Sequence, residues 1–65
     1  MKEEINNLMS ELDGKDKIYA HQTDILYRLH NELFPDLKEW NKACDSCRIR
    51  VYNAVRDWWL NNKNN

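Results

Sequence analysis

A single glycine and a single proline punctuate this chain of 65 residues. Gly14 stands in LDGKD and Pro35 in LFPDL, each between stretches whose apolar residues recur every three or four positions. Glycine and proline are the strongest local breakers of regular structure. A chain with only two of them divides into a few long segments. The residues predict three helices, at about Lys2–Leu12, Asp16–Phe34 and Asp36–Leu60. No stretch shows the strict polar–apolar alternation of a half-buried strand. The expected fold is all-α, a helical hairpin of two longer helices with a short N-terminal helix.

Each segment carries its own signals. In the first, Ile5, Leu8, Met9 and Leu12 form one stripe, Glu3 and Glu4 suit the positive end of the helix dipole, and Gly14 suits the position just past the C-terminus. So short a helix is marginal in water and must dock on something. In the second, Asp16 is a candidate cap. Ile18, Gln22, Ile25, Leu26, Leu29 and Leu33 make the inward stripe, with Asp24, Arg28 and Glu32 opposite. Asp24 and Arg28 have the spacing of an intrahelical ion pair. The helix should end before Pro35, which disfavours helical geometry in its predecessor. In the third, Leu37, Trp40, Cys44, Cys47, Val51, Ala54 and Trp58 alternate by three and four, as the seam of a packed helix pair does. Residues 1–60 then form one domain and residues 61–65 a frayed polar tail.

Size and charge narrow the possibilities. A domain this small buries only about 60% of its unfolded surface, so a disulfide, a metal or a partner chain is a common supplement. Completion by oligomerisation is expected here. The formal net charge is -1, from 10 basic and 11 acidic side chains. That argues against a general polyanion binder, which carries a marked basic excess. Residues 1–34 hold four basic and seven acidic groups and residues 35–65 six and four, so the second half is mildly basic. The N-terminal MKEEINNLMSEL lacks the apolar run of a signal peptide, and no stretch of about 18 apolar residues offers a membrane span. The expected setting is a reducing compartment without membrane insertion.

CDSCRIRV, from Cys44 to Val51, is the motif with most chemical potential. Three readings compete. As seam residues, Cys44 and Cys47 act as small hydrophobes that let helices approach, and the seam spacing favours this reading. As zinc ligands they supply half of a tetrahedral site. His21 and His30 lie nine residues apart, about 13 Å along a helix, so both cannot join one ion. A set of Cys44, Cys47 and His30 is still one ligand short, so no resident cofactor is expected, with zinc as the alternative. As a redox pair, the cysteines have the spacing of thioredoxin-like motifs, which sit at a helix N-terminus after a strand. No strand precedes them here.

RIRVYNAVRDWW mixes basic and aromatic residues, as single-strand nucleic-acid binders do. Arg48 and Arg56 are the candidate contacts, with Tyr52 and Trp59 on the same edge. Trp58 and Trp59 point about 100° apart, so one packing neighbour cannot cover both. Ile49 and Leu60 fall on yet another edge. A surplus apolar surface of this kind marks a protein interface, for which Trp and Tyr are favoured anchors. The interface residues are therefore expected to be Ile49, Tyr52, Trp58, Trp59 and Leu60. His21 and His30 read as surface or edge residues. No Ser–His–Asp arrangement, inward carboxylate pair or glycine-rich phosphate loop can be argued, and no catalysis is expected.

The stretch NELFPDLKEWNKACDSCRIRVYNAV, from Asn31 onward, resembles short proteins encoded by tailed bacteriophages, in which an N-x-x-F-P turn precedes C-x-x-C and a basic-apolar helix. The resemblance covers about half the chain and brings no defined activity. It implies a setting: a virion component or a host-directed accessory factor, in the bacterial cytoplasm or the virion. The combined expectation is a non-enzymatic helical assembly module that binds a copy of itself or a larger protein. A small nucleic-acid-binding regulator and a zinc- or redox-linked module using the CxxC pair are the alternatives.

Overall fold

The computed structural model describes residues 2–63. Three helices account for its regular structure: α1 (Lys2–Leu12), α2 (Ala20–Leu33) and α3 (Asp45–Asn62), with a 3₁₀ turn at Pro35–Leu37. No strand occurs among the described residues. The all-α expectation is met.

The first helix follows its sequence closely. Ile5, Leu8, Met9 and Leu12 are all buried. The chain leaves α1 where expected, at Gly14, whose φ of 75° is the left-handed conformation that glycine adopts without strain. The Asp13 and Lys15 amides donate back to the carbonyls of Met9 and Leu12, at 2.9 and 3.0 Å.

The second helix starts later than Asp16 would have it. Tyr19 is the N-cap, and its amide donates to Oε1 of Gln22 at 2.9 Å. Gln22 also donates through Nε2 to Oε1 of Glu11. One buried glutamine thus closes the first turn of α2 and ties it to the end of α1, so Asp16 is not needed as a cap. Ile18, expected in the inward stripe, lies outside the helix and is exposed. Asp24 and Arg28 do not pair with each other. Arg28 engages Glu4 and Glu32, and Asp24 holds Nζ of Lys42 at 2.9 Å. The helix ends at Leu33, ahead of Pro35 as expected.

The third helix departs most from expectation. It begins at Asp45, nine residues beyond Asp36. The segment between is a strap laid back along α2. Buried Asn31 reaches Glu39 twice: Nδ2 donates to its carbonyl at 3.0 Å, and Oδ1 accepts its amide at 2.9 Å. The Tyr27 hydroxyl donates to the Asn41 carbonyl at 2.9 Å. Glu39 Oε2 accepts the amides of Trp40 and Asn41, and Arg50 donates to Oε1. The pairings 31 with 39, 27 with 41 and 24 with 42 run the strap antiparallel to α2. They bring the chain back to where α3 starts. Side chains from α2 thus compete successfully with helical hydrogen bonding in KEWNKA, an outcome that local propensity does not foresee. Leu37 and Trp40, the expected start of the seam, are each 71% exposed.

The face of α3 that turns inward also differs from expectation. Val51, Val55 and Trp59 are buried, in place of the expected Val51, Ala54 and Trp58. They meet Ile5, Leu8, Met9 and Leu12 of α1 and Leu26, Tyr27 and Leu29 of α2 in one core. α1 causes the shift in phase, because it packs on α3 as well as on α2. Asn61 and Asn62, expected in a frayed tail, are the last turn of α3. There Asn62 Nδ2 donates to the Trp58 carbonyl at 2.7 Å. Asn64 and Asn65 of that tail lie outside the described residues.

Candidate functional site

The residues marked by sequence fall into three places. The first is the start of α3. Cys44 is its N-cap and Cys47 lies one turn inside it. The two sulfurs are at disulfide distance. Cys44 Sγ accepts the Cys47 amide at 3.2 Å, satisfying one of the first-turn N–H groups that have no partner within the helix. Both residues are partly exposed and neither belongs to the core. The seam reading of the cysteines is therefore corrected. They sit in a cap, where the helix begins, and they do not space two helices apart.

Arg48 is folded onto this end. It donates to Asp45 and, at 2.6 Å, to the Lys42 carbonyl. Its charge closes the strap onto the helix and is balanced by Asp45. Arg56, the other candidate nucleic-acid contact, lies two turns further along α3 and does not share the groove that Arg48 lines.

The second place is the groove between α2 and the first half of α3. Ile18, Leu26, Ile49 and Tyr52 supply its apolar wall, with Asp45 and Arg48 at the cysteine end. It is open and has a volume of about 520 Å3. Ile49 is 60% exposed, and Leu60, on the same edge three turns later, is 40% exposed. Tyr52 is half-buried against the core. Of the residues expected at an interface, Ile49, Tyr52 and Leu60 thus share one side of α3. Ile18 joins them across the groove. Helical spacing alone places it on the inward face of α2, so the sequence does not mark it as a groove residue.

The third place is the junction of α1 with the end of α3. Trp59 is only 8% exposed. Its indole N–H donates to Asn6 Oδ1 at 3.0 Å, and Lys63 Nζ lies 4.7 Å from its ring centre. Trp58 is partly buried and packs against the core. The expectation that Trp59 anchors a partner is corrected: α1 already covers it. A short N-terminal helix supplies the second packing neighbour that two adjacent tryptophans require.

The histidines part company. His21 is exposed, near Tyr19. His30 is buried, which corrects its reading as a surface or edge residue. Its Nδ1 lies 2.9 Å from Asn31 Oδ1, and its ring lies against Phe34. It supports the residue that holds the strap and does not join Cys44 and Cys47. Among the described residues no group of three or more His, Cys, Asp or Glu side chains is arranged to hold a metal ion.

Four groups have displaced proton affinities. Glu39 is held below the ordinary glutamate value, first by the Asn41 amide and then by Trp40 and Arg50, against an opposing effect of desolvation. Glu4 is lowered, and Arg28 raised, by the bond between them. Tyr27 is raised, chiefly by burial. Glu4 and Arg28 tie α1 to α2, Tyr27 ties the strap to α2, and the Glu39 carboxylate ties the strap to α3; none is arranged as a catalytic pair. No helix is long and apolar enough to cross a membrane among the described residues. Comparison with known families, with curated proteins and with solved structures gives no match.

Proposed function

We propose that this chain is a non-enzymatic helical assembly module that associates with a second copy of itself through the exposed edge of α3. The observation that carries the reading is the placement of Ile49 and Leu60. They are large, apolar and substantially exposed, and they lie on one edge with Tyr52 beside them. Two copies of α3 packed antiparallel about a two-fold axis set Ile49 of each against Leu60 of the other. The same axis sets Asn53 against Arg56, so the polar positions meet polar positions. Such an interface is isologous, the commonest form among homo-oligomers.

The phage-like stretch from Asn31 onward supports a setting as a virion component or a host-directed accessory factor. In that setting a small module contributes by filling a repeated contact, and no catalytic group is required of it. Nucleic-acid binding draws less support, since Arg48 is engaged by Asp45 and Arg56 stands apart from it.

Sedimentation of the intact chain over a wide concentration range tests this reading. The expected result is reversible dimerisation that Ile49→Asp with Leu60→Asp removes while far-UV circular dichroism stays unchanged. A chain that remains monomeric at the highest concentrations overturns it. So does a double variant that associates as strongly as the parent.

A further inference from the structure

The end of α3 that carries Cys44 and Cys47 lies apart from the Ile49–Leu60 edge and is not explained by association. Four features of it point the same way. The cysteines are partly exposed, so an external reagent can reach them. Cys44 occupies the N-cap, where its sulfur accepts the Cys47 amide and faces the positive end of the helix dipole. Both effects favour a thiolate over a thiol. Asp45 would oppose this, but its charge is taken up by Arg48. Finally, Cys47 stands one helical turn on with its sulfur within bonding reach of Cys44, so a second thiol is ready to close the pair. A ring between residues three apart removes little chain entropy, so the bond adds little stability and can be made and broken without unfolding the helix.

We propose that Cys44 and Cys47 form a reversible dithiol–disulfide couple that exchanges with external disulfides, Cys44 attacking and Cys47 resolving. The Cys44 thiolate attacks one sulfur of a disulfide RSSR′. A bond forms between Cys44 and the R sulfur, the S–S bond of the substrate breaks, and R′S⁻ leaves and takes a proton from water. Cys47 then gives its proton to solvent and attacks Cys44 Sγ, and RS⁻ departs and is protonated. The protein dithiol loses two electrons, and one disulfide becomes two thiols. The reverse sequence reduces the protein pair.

The experiment equilibrates the full chain in mixtures of oxidised and reduced glutathione, quenches with an alkylating reagent and reads the mass. Cys44→Ser and Cys47→Ser are tested beside it. Serine is itself a favoured N-cap, so Cys44→Ser retains the helix start. The expected result has three parts. The parent shows one two-electron equilibrium within the glutathione range. Cys47→Ser accumulates a mixed disulfide on Cys44, because the resolving thiol is gone. At neutral pH, Cys44 in Cys47→Ser is alkylated at least about fivefold faster than Cys47 in Cys44→Ser, as thiolate stabilisation at the cap requires. A pair that stays wholly reduced in excess oxidised glutathione overturns the proposal, as does equal or inverted alkylation of the two single variants. Circular dichroism of both variants establishes that the comparison is between folded chains.

Discussion

Asn31 fastens the strap to α2 from a buried position. Its amide stands in for a backbone, giving Glu39 both a donor and an acceptor, and it is buried with His30 against it. Asn31→Ala deletes both bonds and leaves the Glu39 amide and carbonyl to find other partners. The expected loss in stability is about 2–3 kcal/mol, since both bonds to the half-buried Glu39 backbone go together with the contact to buried His30. Urea denaturation measures it, and a loss under half of this would show that water replaces Asn31 at no cost. Trp59 makes a contrasting case. Trp59→Ala is expected to cost about 3–5 kcal/mol, the range for emptying a large aromatic site in a core. The loss appears as unfolding of the monomer, because its neighbours are α1 residues of the same chain. A folded Trp59→Ala chain with altered association alone would return this residue to the interface.

Among the elements, the strap between α2 and α3 has the clearest dependence on pH. Glu39 accepts the amides of Trp40 and Asn41 and bonds Arg50, and its carboxylate is held below the ordinary value of 4.5. A carboxylate whose folded value is depressed stabilises the fold above its unfolded value, and that contribution is lost as pH falls through the folded one. The strap is therefore expected to hold above pH 4.5 and to loosen progressively in stronger acid. The amide resonances of Trp40 and Asn41 should move together as Glu39 protonates, at a pH below that of a free glutamate. In Glu39→Gln the shared titration should vanish. Titration at the ordinary glutamate value in the parent would mean that these amides do not hold the carboxylate. Tyr27 binds the same strap through its hydroxyl, and burial raises its value, so its contribution is at risk only in alkali.

At the scale of the whole molecule, the periodicity of the chain and the topology of the fold are separate pieces of information. The stripe Ile5, Leu8, Met9 and Leu12, the break at Gly14 and the stop before Pro35 depend on neighbours within four residues, and local spacing determined all of them. The all-α class follows for the same reason: helical repeats leave no alternative pairing. What the tertiary structure decided lies wherever residues distant in sequence compete for the same groups. Asn31 and Tyr27 took the backbone of residues 39 and 41 out of the helix that their own sequence would allow. That choice moved the start of α3 to Asp45, and with it turned Cys44 and Cys47 from seam residues into a cap. The docking of α1 likewise settled which tryptophan went inside, because only α1 could offer Trp59 both an apolar surface and the Asn6 carbonyl oxygen of its amide. Spacing along a helix gives each side chain a direction, but which direction becomes the interior is set by the elements that arrive to cover it.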